Sequence, residues 1–155
     1  MAAGKIAGMG KTVSADKWKR IGERRRAGVV APLFSVYSKQ TVGIGDLADL
    51  RLLADLCEKT GDTIIQLLPM NETGAVSCPY DAVSSFAIEP LYLCLRELPA
   101  ARDQAVAAKI AKLAKAFPAG QAHVDYALKD AKLKLLSEIF LLSQDELKLK
   151  AFTDF

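Results

Sequence analysis

Histidine occurs once and cysteine three times in this 155-residue chain, and no apolar stretch approaches bilayer-spanning length. Each scarcity closes off a class of protein. With His123 as the lone imidazole, a zinc site is short of ligands. Cys57, Cys78 and Cys94 form an odd set without a CxxC spacing, which argues against a disulfide framework and against a zinc ribbon. A reduced, cytoplasmic setting is the simplest reading. The widest apolar runs, 29–36 and 64–70, have strand length, against the roughly 20 residues that a membrane helix needs. Residues 1–26 contain no apolar segment of the kind a secretory signal requires. Arg24-Arg25-Arg26 ahead of an apolar run faintly resembles a twin-arginine signal, but that run reads better as a buried strand.

What is present points to a soluble α/β protein of one domain. Hydrophobic residues make up 51% of the chain, enough to build a core. The net charge of +3 is unevenly spread. Lys5, Lys11, Lys17, Lys19, Arg20, Arg24, Arg25 and Arg26 face only Asp16 and Glu23 in the first 30 residues, and the remainder is slightly acidic. A basic head can serve nucleic acid or a membrane surface. No aromatics are interleaved with it to stack bases, so it reads as a solvated, partly helical leader. Neither a nucleic-acid nor a membrane partner is expected.

Along the chain, residues 1–13 read as disordered, and Ser14 is placed to cap a helix over 15–26 that carries Trp18 and Ile21 on one face. The β-branched run 28–36 predicts a first strand. Asp46 is a good N-cap for a helix over 47–60, where Leu47, Leu50, Leu53, Ala54 and Cys57 recur at helical spacing and Gly61 stands ready to end it. Residues 62–68 predict a second strand, stopped by Pro69. Strand, helix and strand in so short a span form a βαβ unit with parallel strands and a right-handed crossover. A long Asn-, Gly-, Ser- and Pro-rich loop follows over 70–90, of the kind that is usually functional. Residues 91–95 read as a short extended piece. Two Ala/Leu/Lys-rich helices follow over 101–117 and 125–150, broken at Pro118-Ala119-Gly120. The second carries an apolar stripe of Leu128, Ala131, Leu135, Leu136, Ile139 and Leu142, and Phe152 and Phe155 read as exposed.

Three motifs bear on chemistry. The stretch from Gly43 to Ala48 matches the GxGxx(G/A) dinucleotide fingerprint. However, a polar loop separates it from the strand, and no acidic residue ends the second strand. It reads as a glycine turn into an Asp-capped helix. Gly8-Met9-Gly10-Lys11-Thr12 resembles the end of a P-loop, but Lys5 occupies the position of the first glycine and no strand precedes it. The third stretch, residues 77–87, follows the C-terminal end of a buried parallel strand, where ligand sites of α/β folds lie. Tyr80 after Pro79 is a stiffly presented aromatic with a hydroxyl tip, suited to a sugar's apolar face and its hydroxyls. A loop packed by its own aromatics fits the same spacing.

These segments resemble a known family. Gly28-Val29-Val30-Ala31-Pro32-Leu33-Phe34-Ser35 is similar to the opening strand of the 4-α-glucanotransferases, or amylomaltases. Val42-Gly43-Ile44-Gly45-Asp46-Leu47 resembles their YGIGDLG turn, and Ile65-Gln66-Leu67-Leu68-Pro69 their WQ(V/I)LP strand. Asn71-Glu72-Thr73-Gly74 stands where they carry GPTG. Cys78-Pro79-Tyr80 and Ser84-Ser85-Phe86-Ala87 resemble their SPY and AFA blocks. Glu89-Pro90-Leu91-Tyr92-Leu93 resembles the NPY block, and Val124-Asp125-Tyr126 with Lys132 resembles the VDY helix. Cys78, Ile65 and Glu89 replace the usual Ser, Trp and Asn.

The resemblance implies an N-terminal fragment of a (β/α)8 TIM barrel with the start of an inserted helical subdomain. It divides the chain into a basic extension (1–27), a first βαβ unit with its substrate loop (28–99) and a helical segment (100–155). It implies α-1,4-glucan transfer between maltooligosaccharides by a retaining, covalent mechanism with two carboxyl groups, and no metal or organic cofactor. Tyr80 is the implied sugar contact, with Pro79 shaping its loop and Cys78 beside it. No catalytic carboxylate maps onto this chain. Neither expected strand ends in Asp or Glu, and Asp46, Asp49 and Asp55 read as the exposed face of a helix. A barrel needs at least about 200 residues. The chain is therefore expected to be inactive alone and to partner the missing C-terminal part of the same enzyme. The alternative is a non-catalytic glucan-binding or protein-interaction module. Two parallel strands with open edges also predict poor stability in isolation.

Overall fold

The computed structural model describes residues 12–22 and 25–142. Six principal elements follow in chain order: α1 (Ala15–Ile21), β1 (Gly28–Ala31), α2 (Leu47–Thr60), β2 (Ile64–Leu67), α3 (Gln104–Ala116) and α4 (Ala127–Leu142). The fold mixes helices with a small parallel sheet. The chain beyond Leu142, including Phe152 and Phe155, and the P-loop-like segment up to Lys11 lie outside the described residues.

The expected βαβ unit is present. β1 and β2 pair in parallel, Gly28 opposite Ile64 and Val30 opposite Gln66. A Cβ on Gly28 would lie 2.0 Å from the Ile64 carbonyl oxygen, so only glycine allows that approach. The connecting helix α2 starts and stops where its end signals stand. Asp46 accepts from the Ala48 and Asp49 amides and the Asp49 carboxylate accepts from the Asp46 amide, a full capping box. Gly61 closes the helix in the left-handed region at φ 81°.

Three expectations are corrected. β1 ends at Ala31 rather than running to residue 36. Pro32 lacks an N–H for the ladder, and Leu33–Ser35 turn into a 3-10 helix whose Ser35 hydroxyl donates to the Pro32 carbonyl at 2.8 Å. Ser14 precedes α1 without capping it, because its hydroxyl accepts from the Trp18 indole N–H at 3.1 Å instead. The segment after residue 90 is a series of 3-10 turns, Pro90–Tyr92, Leu95–Glu97 and Pro99–Arg102, rather than an extended piece. The Pro residues at the starts of two of these turns favour them. α3 then begins at Gln104, where the Asp103 carboxylate accepts from the Ala105 and Val106 amides.

The core is built by loop residues and the two later helices. Leu33, Val42, Ile44, Leu91, Tyr92 and Leu95 pack against Val106, Ile110 and Leu113 of α3 and Leu128, Leu135 and Ile139 of α4. The α4 stripe thus faces inward as its spacing requires, with Leu128, Leu135 and Ile139 buried and Ala131 and Leu136 half-buried, except Leu142, which is exposed. The strands contribute nothing to this cluster. Val30 is 67% exposed and Ile64 46%, so among the described residues one sheet face and both edges are open. No described helix is long and apolar enough to cross a membrane.

Candidate functional site

The loop leaving β2 is held shut at its neck. Asn71 and Ile88 form an antiparallel bridge. The Glu89 amide donates to the Met70 carbonyl at 2.9 Å, and the Glu72 amide to that of Ala87 at 2.8 Å. Farther out, the Val83 amide donates back to the Glu72 carbonyl at 2.8 Å. The excursion is therefore a closed loop, and Cys78, Pro79 and Tyr80 sit in a tight turn inside it. The Asp81 amide donates to the Cys78 carbonyl at 3.0 Å, with proline at the second position, which its fixed φ favours. The turn presents Tyr80 to solvent at 73% exposure, with Cys78 exposed beside it and Pro79 half-buried beneath. All three predicted residues share one turn, with only Pro79 lining a cavity beneath the loop.

The carboxylates near this loop are tied down. The Lys129 ammonium, from α4, donates to Glu72 Oε1 at 2.7 Å, Glu89 Oε2 at 2.8 Å and the Gly74 carbonyl at 2.7 Å, using all three of its protons. Glu89 Oε2 also accepts from the Thr73 amide and hydroxyl at 3.1 and 2.9 Å. Burial pushes the Glu89 carboxyl up, but the bonds from Lys129 and Thr73 outweigh it and hold its pKa below the ordinary value. Burial pushes Lys129 down, and its bonds to Glu72 and Glu89 more than reverse this. The reading of the sequence named Glu89 as a departure from the family pattern but gave Lys129 no role. The signal was weak, because the partners stand 57 and 40 residues away.

A second lysine of α4 is buried more deeply. Lys132 is 1% exposed and its ammonium donates to the Leu91 carbonyl at 2.6 Å. Burial lowers its pKa to about 8, although the charges of Asp46, Cys94, Asp49 and Glu89 pull the other way. Those aspartates correct a further expectation. Asp46 and Asp49 are buried rather than on an exposed helix face. The Asp46 carboxylate is engaged in the cap, and Asp49 Oδ2 accepts from the Thr41 hydroxyl at 2.7 Å. Asp55 is exposed as expected.

The glycines of the fingerprint-like turn have packing roles. A Cβ at Gly45 would meet the Val36 and Leu33 carbonyl oxygens at 1.8 and 2.1 Å, and one at Gly43 would strike Leu128 at 2.3 Å. Beside this turn opens a cleft of about 410 Å³, lined by Phe34, Tyr37, Phe117, Gln121, His123 and Asp125 among others. Sequence reading missed Tyr37 and His123 as neighbours, because the connection between α3 and α4 brings them together. Among the described residues no cluster of three or more His, Cys, Asp and Glu could hold a metal ion.

Comparison with known proteins places these features in a family. The family model described as 4-alpha-glucanotransferase (glycoside hydrolase family 77) matches residues 31–155. A 4-alpha-glucanotransferase of Chlamydia pneumoniae is 46% identical over 86 residues, covering 56% of this chain and 16% of that protein. One from Chlamydia caviae is 42% identical over 92 residues, 59% of this chain and 17% of its own length. A rice 4-alpha-glucanotransferase is 36% identical over 128 residues, 79% of this chain and 13% of its own length. The chain thus spans only a small part of the curated relatives it matches. No solved structure matches it significantly. With the family model covering the βαβ unit from Ala31, the Pro79-Tyr80 loop and both lysine-bearing turns of α4, the chain belongs to the 4-alpha-glucanotransferase family.

Proposed function

We propose that this chain forms part of an α-1,4-glucan transferase, contributing the first two strands of a (β/α)8 barrel and a loop that meets the glucan through Tyr80. The observation that carries this reading is the position of Tyr80, solvent-facing on a proline-stiffened turn in the loop leaving β2 of a chain whose family acts by glucan transfer. Ligands of parallel α/β folds gather at that edge. An exposed phenol held by a rigid turn can stack on a sugar ring at small entropic cost. In this reading residues 28–99 are the barrel's first unit, 100–155 the start of a helical subdomain, and 1–27 a basic extension. Three free thiols, one of them exposed, fit a reducing cytoplasm.

The acidic side chains near the loop support a binding role over a catalytic one. Glu72 and Glu89 bond the same ammonium, so their oxygens lie close enough to mimic the carboxyl pair of a retaining glycosidase. Both are held in ion pairs, Glu89 is buried, and its carboxyl is kept ionised, the wrong state for protonating a leaving group. The nucleophile and the acid/base are therefore assigned to other parts of the enzyme.

Two measurements test this. Titration calorimetry with maltoheptaose should show binding that Tyr80→Ala weakens by about tenfold or more, the loss of one stacked aromatic. The chain alone should transfer no glucose units between maltooligosaccharides. Release of glucose from maltotriose by residues 1–155 would place the catalytic carboxylates here and overturn the reading. Binding without transfer is also what a glucan-binding module predicts, and restored transfer on adding the remaining barrel strands separates the two.

A further inference from the structure

The open cleft beside the 43–45 turn has two walls. The loop after β1 supplies Phe34 and Tyr37, and the connection between α3 and α4 supplies Phe117, Gln121, His123 and Asp125. Ile44 and Leu128 also line it, and both belong to the packed core, so part of its surface is fixed by the fold. The two walls meet at Gly120, where an added Cβ would lie 2.9 Å from the Tyr37 ring. The volume of about 410 Å³ falls within the roughly 300–1,000 Å³ of small-molecule clefts.

The lining selects a chemistry. Among the described residues no lysine or arginine lines the cleft, and Asp125 brings a carboxylate, which disfavours a phosphate or another anion. Aromatic surface is available, with Tyr37 58% exposed and Phe34 and Phe117 half-buried. Within the described chain the Tyr37 hydroxyl, the Gln121 amide and the His123 ring have no hydrogen-bond partner. Asp125 commits only Oδ1, to the Ala127 amide at 3.0 Å. Phenol, amide, imidazole and carboxylate together offer both donors and acceptors. A neutral ring with apolar faces and a rim of hydroxyls answers to both parts of this lining, and a pyranose is such a ring.

We propose that this cleft is a carbohydrate site separate from the Tyr80 turn, binding glucosyl units of an α-1,4-glucan by stacking on Tyr37 and by hydrogen bonds to Gln121, His123 and Asp125. Its choice of glucan among neutral sugars rests on the function proposed above, whereas its preference for a neutral sugar rests on the cleft alone.

The chain has a single histidine, so a carbon–proton correlation spectrum of the imidazole gives one signal, and that signal reports on the cleft. Maltotriose titrated into the full chain should move it saturably. Tyr37→Ala should weaken that titration by about fivefold or more, the loss of one aromatic platform. Gln121→Ala should weaken it by about threefold, the loss of one hydrogen bond. Tyr80→Ala should leave it within about twofold, as expected of an independent site. A His123 signal that stays still up to the solubility limit of maltotriose would overturn the site, as would an unchanged titration in a folded Tyr37→Ala chain. Should that variant unfold, seen as collapse of the Leu33 and Leu95 methyl signals, Gln121→Ala decides by the same criterion, since Gln121 is exposed. Failure of the Tyr80 reading looks different: the Tyr80 ring signals stay still while His123 moves, and the cleft stands. A His123 shift lost in Tyr80→Ala as fully as in Tyr37→Ala assigns the sugar to the turn and overturns the cleft.

Discussion

Lys132 stands four residues after Leu128 and three before Leu135, inside the apolar stripe of α4, and it is as buried as its neighbours. An ammonium there is costly, which is why its pKa falls from 10.5 to about 8. The folded chain therefore gives up this proton more readily than the unfolded one. Stability from this group is present above pH 10.5 and lost as pH falls through 8. Cys94 and Tyr92, whose pKa values are raised by burial first and by neighbouring negative charge second, work in the opposite sense above pH 9 and 10. Comparison with Lys132→Met cancels them. The stability of the wild-type chain relative to that variant should climb by about 2–3 kcal/mol between pH 8 and 10 in urea titrations. A flat difference would mean that the ammonium is solvated.

At the scale of elements, the Lys129 clamp fastens α4 to the loop after β2. Its ion pairs are partly buried, with side-chain exposures of 12% for Lys129, 23% for Glu72 and 5% for Glu89. Removing the cation leaves two carboxylates beside each other without compensation. Lys129→Met should cost about 2–3 kcal/mol, between an exposed and a fully buried pair, and adding Glu89→Gln should recover part of it, both read from chemical denaturation. Equal stability of Lys129→Met and the wild-type chain would show that the loop and α4 are not coupled through this contact. Such a clamp is hard to read from sequence, since Glu72, Glu89 and Lys129 meet only after the chain has folded back on itself. Local signals fared better. Asp46 and Gly61 marked both ends of α2, because caps are decided within a few residues. β1 misled because an apolar run does not say whether it is strand or core turn. Leu33 is buried, but as part of a 3-10 helix beyond Pro32.

For the whole molecule, the exposed surface is the main physical fact. Val30 and Ile64 on the sheet and Leu52 and Leu56 on α2 are exposed, and among the described residues nothing pairs with the outer edges of the two parallel strands. Parallel sheets are otherwise covered on both faces. The isolated chain should bind a hydrophobic dye and self-associate with rising concentration, and Val30→Lys should suppress the association without lowering the melting temperature. A dye-silent monomer with a sharp cooperative melt would contradict this. The motif order and the turn that carries Tyr80 were legible because both lie in short contiguous stretches. The neighbourhood of Tyr37 and His123 was not, since it depends on how the connection between α3 and α4 lies over the loop after β1.

The separation of the packed cluster from the strands has an evolutionary side. Leu33, Leu95 and Leu128 answer to one another, so a change at any of them is judged at once by the folding of this segment. Val30 and Ile64 face outward and answer to whatever comes to lie on them. Drift on the outer sheet face is therefore restrained by a neighbour's tolerance, and drift in the cluster by the segment's own survival, so the two sets of positions are free to change at different rates.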